Sequence, residues 1–289
     1  MIQKILEIIT RNSEAFSLIA SFFAWVVGMF TNKGWEKIKK ARRISALRLR
    51  KDRTCKIVMP TYNNIDLYPQ SRSRTMFDVN SQGDVLASLN VVSFAGYVGL
   101  EFANEYYVLG EHPNEIVANN NIFCIGGIVA NKQTRAHFSR FFPEFRIFNS
   151  NLKEDDEEGQ KLFFYDKEKR GFRWGAGKEF TVSDGEHYAI LVRLTKEDFG
   201  TDDAGTVYIL YGNKMESTLV ASKYLLCQIN DLIKRTRRKK HFFIVMRIRE
   251  VNGSSNIYFD DKYDLTDEMF PQDKENLVSR LRKLLGKDK

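Results

Sequence analysis

Twice in this chain an apolar run meets glycine and then turns polar: Ile125-Gly126-Gly127-Ile-Val-Ala-Asn131 and Leu210-Tyr211-Gly212-Asn-Lys-Met-Glu-Ser217-Thr218. Each run reads as a buried strand and each following stretch as the start of a helix. In an α/β sheet such loops gather at the carboxyl edge, where unpaired helix N–H groups and the helix dipole favour an anion. Glycine lets the backbone approach closely, and Asn131, Ser217 and Thr218 stand where an N-cap side chain can turn toward a ligand. Asp84, near the start of another helix, joins them as the acidic member of the expected binding set. The chemistry implied is capture of a phosphate-bearing ligand, a nucleotide or phosphosugar. Gly after a strand and Ser or Thr before a helix are also ordinary connection chemistry, so that alternative stays open. Neither loop is G-x-G-x-x-G or G-x-x-x-x-G-K-[ST], which leaves an NAD or P-loop ATP site unsupported.

Other reactive types are sparse. Asp184 precedes His187 by three residues and could orient it as a general base, although a turn carrying a surface histidine has the same pattern. His112, His137 and His241 are isolated. Cys55, Cys124 and Cys227 lack metal-type spacing and read as buried thiols of a reducing compartment. No metal ligands and no cofactor are expected, and no catalytic residue is assigned.

The elements that position these groups follow from periodicity. Strands are expected at 54–62, 106–109, 121–129, 145–148, 187–194, 206–211 and 242–251, a hairpin at 162–174, and a weaker strand at 256–258. Helices are expected at 82–102, 132–142, 217–234 and 272–285. Apolar strands alternating with helices imply a Rossmann-like α/β domain with a largely parallel sheet covered on both faces by helices.

The order of Gly83-Asp84-x-x-Ala87, Ile125-Gly-Gly-x-x-x-Asn131, His187-Tyr-Ala-Ile-Leu-Val-Arg193 and the Gly212 to Thr218 to Ala221 segment resembles the Rossmannoid nucleotide-sensing domains of the SLOG kind. These are related to the LOG phosphoribohydrolases and to second-messenger sensors of bacterial anti-phage systems. The resemblance implies binding of a nucleotide signal and a part in antiviral defence. It lacks the P-G-G-x-G-T-x-x-E stretch of the LOG enzymes. Lys56-Ile-Val-Met-Pro-Thr-Tyr-Asn-Asn64 is similar to the opening strand of family 2 glycosyltransferases, but no D-x-D site follows a hydrophobic strand.

Ahead of this domain, Ala15 to Phe30 carries no charge and is followed by basic residues from Lys33 to Arg53. That arrangement predicts one short transmembrane helix with the positive side in the cytosol. Residues 1–31 would then be an amphipathic start and membrane helix, 32–53 a basic juxtamembrane linker, and 54–289 the cytosolic domain. The expected localisation is the inner membrane, single-pass, with membrane lipid and a homo-oligomer as partners; Ala20, Ser21, Ala24 and Gly28 offer a small-residue helix face. The formal charge of +8 invites a nucleic-acid reading. The second basic run, Lys234 to Lys240, contains no aromatic residue and reads as a solvated helix end, so nucleic acid is not supported. The functional expectation is a membrane-anchored sensor that binds a nucleotide-type signal. A membrane-tethered nucleotide hydrolase or nucleosidase is the alternative.

Overall fold

The computed structural model describes residues 13–60, 82–107, 120–148, 162–164, 166, 169–200, 205–251 and 256–271. Its strands are β1 (Thr54–Val58), β2 (Phe102–Tyr107), β3 (Asn120–Ile125), β4 (Arg146–Phe148), β5 (Phe163–Phe164), β6 (Arg170–Trp174), β7 (Lys178–Val182), β8 (Glu186–Leu194), β9 (Val207–Gly212), β10 (Phe242–Val251) and β11 (Asn256–Asp264). Its helices are α1 (Ser13–Ala46), α2 (Gln82–Val98), α3 (Lys132–Phe141), α4 (Lys196–Phe199), α5 (Met215–Cys227), α6 (Ile229–Thr236) and α7 (Thr266–Met269). The helix expected at 272–285 lies outside the described residues.

The main sheet has the order β11-β10-β8-β9-β3-β1-β2. Strands β2, β1, β3 and β9 run parallel, whereas β9, β8, β10 and β11 alternate in direction. A small second sheet, β5-β4-β6-β7, is likewise mixed. The largely parallel, helix-covered sheet expected from the sequence is therefore corrected to mixed sheets. The error has a physical source. All nine residues of β8 are buried, a pattern that suggests a strand between two helical layers. Here one face of β8 packs on α5 while Tyr188 on the other meets Phe172 and Phe180 of the small sheet at 5.4 and 6.1 Å. A sheet layer buries an antiparallel strand as completely as a helix layer does.

Alternation along the strands divides the interior into two cores. Ala189, Leu191, Phe123, Tyr208 and Phe242 face α2, α5, α6 and the end of α1. Tyr188, Ile190, Val192, Ile122 and Phe243 face α3, α7 and the small sheet. Cys55 and Cys124 are buried within these cores, and burial pushes the Cys55 thiol up to about 12; Cys227, expected to be buried, is exposed. The helix expected at 217–234 is two helices, interrupted at Gln228, whose backbone leaves helical geometry while its N–H still reaches Tyr224 O.

The predicted membrane segment requires a second correction. Residues 15–30 belong to the 34-residue helix α1, which continues through the basic residues to Ala46. Among the described residues no helix is long and apolar enough to cross a membrane. At about 1.5 Å per residue the uncharged stretch reaches about 24 Å, short of the roughly 30 Å hydrocarbon thickness. The expected single-pass inner-membrane placement falls with it. The far end of α1 is built into the domain: Ile44, Leu47 and Leu49 are buried, and Leu47 O accepts the Tyr208 hydroxyl at 2.7 Å. Arg48 O accepts the Thr206 hydroxyl. Asn121 then clasps Arg50, accepting from its N–H at 3.0 Å and donating to its carbonyl at 2.8 Å.

Candidate functional site

The parallel half of the sheet brings the two glycine loops together, because β3 and β9 are neighbours and both end at the same edge. Protein atoms already occupy the space that the glycines leave. A Cβ at Gly127 would lie 2.4 Å from the Tyr211 ring, and one at Gly212 would lie 2.3 Å from Thr218 N. Gly126 has φ +95°, a conformation glycine adopts without strain, and a Cβ there would meet Pro60 at 3.1 Å.

Asn131 caps α3 with its carbonyl oxygen, accepting from Thr134 N–H at 3.0 Å. Its amide group donates to Val58 O and Ile125 O at 3.0 and 2.7 Å, so its hydrogen-bonding capacity is used in tying β1, β3 and α3 together. Ser217 is buried with its hydroxyl 3.2 Å from Asn213 Oδ1, which itself accepts Tyr188 N–H. Thr218 and Asp84 are also buried, Asp84 in the first turn of α2. The expected set thus shares one end of the sheet, and most of its members hold the fold. The proposed proton-transfer pair is not brought together: the Asp184 side chain is fully exposed and lies 3.8 Å from Arg170, whereas His187 is buried within β8.

At the opposite end of the sheet the chain forms a half-open cavity of about 730 Å³. Five segments meet there: the end of α3 with the following turn, the β6–β7 turn, α4, the residues before β10, and α7. Phe141, Phe142, Trp174 and Phe270 contribute to its walls, among charged and polar residues. His241 lies flat on Phe270, with centroids 4.0 Å apart, and places Nδ1 2.9 Å from Asp198 Oδ1. Asp198 is held in turn through Oδ2, which accepts from Thr195 N–H at 2.7 Å.

Arg140 lies over the Phe141 and Phe199 rings at 5.1 and 5.7 Å, and Lys240 enters from the loop before β10. Of the lining carboxylates, Glu268 is neutralised by Lys178 at 2.8 Å and Asp198 faces His241, leaving Glu144 at the rim. His137 lies behind this wall, packed against Phe141 and Phe199 with its Nε2 3.0 Å from Gln133 Nε2. Burial, then the neighbouring Arg140 charge, lowers its pKa to about 4.

The pairing of Asp198 with His241, and of both with Lys240 and the aromatic wall, has no linear signature. The one visible clue was a histidine closing a basic run directly before a strong strand. Among the described residues no cluster of His, Cys, Asp or Glu could hold a metal ion. No protein-family model and no curated protein sequence matches this chain.

Proposed function

We propose that the protein is a binding protein for a nucleotide-type anion and that it holds this ligand in the cavity between the end of α3, α4, α7 and the residues that lead into β10. The observation that carries the reading is the combination within one cavity of aromatic walls and two cations, Arg140 and Lys240. Its volume lies in the range of small-molecule pockets. Aromatic faces suit a nucleobase, the cations suit a phosphate, and the Glu144 carboxylate suits a ribose hydroxyl. The resemblance to nucleotide-sensing domains supports the same ligand class, although the loops that carry it lie at the other edge of the sheet.

The test is calorimetric titration of a nucleotide panel against the parent chain, Lys240→Ala and Phe270→Ala. The parent should bind one or more phosphorylated members, Lys240→Ala should favour the unphosphorylated nucleoside relative to its phosphate, and Phe270→Ala should weaken both. Equal binding by all three proteins would remove the cavity from the reading.

A second reading, nucleotide hydrolysis, is favoured by the 2.9 Å contact between His241 and Asp198. A carboxylate on one imidazole nitrogen orients the other for proton transfer. Product formation by the parent and its loss in His241→Asn would place hydrolysis first.

A further inference from the structure

The two basic runs of the sequence come from opposite ends of the chain, and the fold brings them to one place. A groove of about 650 Å³ lies between the last turns of α1 and the loop that follows α6, lined by Ile38, Ala41, Arg42, Ser45, Arg48, Arg237 and Arg238 among others. All four arginines are exposed, and none has a carboxylate partner among the described residues. Their neighbours differ: Arg50 is paired with Asp52, Arg235 with Asp231 and Lys239 with Asp264. The groove therefore brings together four cations that have no carboxylate partner among the described residues, and like charges across one concavity raise the local potential for an anion.

The two sides of the groove are tied together from within. Beneath it Arg193 of β8, fully buried, donates to Ala46 O at the end of α1 and to Thr236 O and Lys239 O beside α6, at 3.3, 3.2 and 2.8 Å. One side chain thus fixes both walls and satisfies helix-end carbonyls whose partial negative charge would oppose an anion.

An aromatic group completes the surface. Trp35 sits on α1 within two turns of Arg42, is half exposed, and has Arg42 and Lys39 over its ring at 5.8 and 5.9 Å. Residues 234–240 contain no aromatic, and the fold supplies one from α1. Arginines that follow a phosphate backbone beside an exposed aromatic face are the elements of single-strand recognition.

We infer that this groove docks the phosphodiester backbone of a single-stranded nucleic acid, with a base stacked on Trp35. The site is separate from the cavity of the proposed function, which opens on the other face of the sheet.

The experiment is fluorescence anisotropy of the full chain with a labelled single-stranded oligonucleotide over a salt series. Four phosphate contacts at about 0.7 each predict a slope of log affinity against log salt near −3. The double variant R237A/R238A should reduce that slope by about 1.4 and weaken binding about 25-fold at about 0.1 M salt. W35A, which leaves the charge unchanged, should weaken binding about fivefold or more. Because these side chains are exposed, the variants should melt where the parent does, and a lowered melting temperature would be excluded by comparing affinities well below it. The inference fails if the parent does not bind, or if R237A/R238A keeps the parental slope. It also fails if heparin binds as tightly and W35A has no effect, which would make this a general polyanion surface. Binding of phosphatidylserine vesicles without the oligonucleotide would overturn it in favour of a lipid surface.

Discussion

His137 provides a quantitative handle on the wall behind the cavity. Its imidazole is almost fully buried, and burial holds its pKa near 4 against an ordinary 6.5. The folded state therefore favours the neutral ring, and the unfolded chain takes up a proton first as pH falls. Stability from this site is fully present above about pH 6.5, declines as pH drops toward 4, and changes no further below that. Between pH 7 and 4.5 the ratio of the two titrations changes by a factor of roughly 60, or about 2 to 3 kcal/mol lost at the acid end.

The perturbation is His137→Phe, which keeps an aromatic ring against Phe141 and Phe199 and removes the ionisation. Urea unfolding of both proteins at intervals from pH 7 to 4.5 measures the difference. The variant's absolute stability is secondary; what matters is that the gap between the two proteins shifts by about 2 to 3 kcal/mol in the variant's favour on acidification. Carboxylates held low by partners, such as Glu186 beneath Ser183 N–H and Arg249, are common to both proteins and cancel in the comparison. A gap that stays constant over the whole range would show that His137 is solvated or charged in the folded protein, and the packing described for α3 against α4 would be wrong.

Two further outcomes test the positions at either end of the sheet. Gly127→Ala should destabilise the protein by about 1 to 3 kcal/mol in urea unfolding, because its Cβ would collide with Tyr211, and a neutral substitution would mean the loop is looser than described. Arg193→Met should lower stability by about 2 to 5 kcal/mol, since it leaves three backbone carbonyls at the ends of α1 and α6 without their donor, and an effect below about 1 kcal/mol would show that water replaces the guanidinium.

Much of the element order was legible because burial leaves a periodic trace. The strands at 187–194, 206–211 and 242–251 were readable from runs of apolar residues, and the starts of α2 and α3 from Asp84 and Asn131. Strand direction was not legible, since Tyr188, Ile190 and Val192 alternate with Ala189 and Leu191 in the same way whichever way a neighbour runs. The hairpin was misplaced for a local reason. β6 and β7 turn through Trp174-Gly175-Ala176-Gly177, where both glycines have positive φ, whereas β5 joins β4 in parallel and never pairs with β6. Glycines at a strand-to-helix loop signal a tight backbone without saying what fills the space, and at Gly127 and Gly126 the filler is Tyr211 and Pro60. The cavity and the basic groove depend on contacts such as Asp198 with His241 and on the approach of Arg42 to Arg237, which no spacing rule encodes.

The division of the main sheet into an antiparallel and a parallel half sets an order of assembly. On the antiparallel side Val251 pairs with Asn256, and β8 pairs with β9 across the short connection that includes α4, so these ladders close small loops. On the parallel side Cys55 must find Asn121 and Ile122 must find Val207, each across a long intervening segment. Closing those loops costs more chain entropy before any contact rewards it. The region from β8 to β11 is thus the natural nucleus, and the β1–β3–β9 ladder is the late step. The loops at the carboxyl edge then come together only as folding finishes, whereas the β8 and β10 ends that border the cavity belong to the part that forms first.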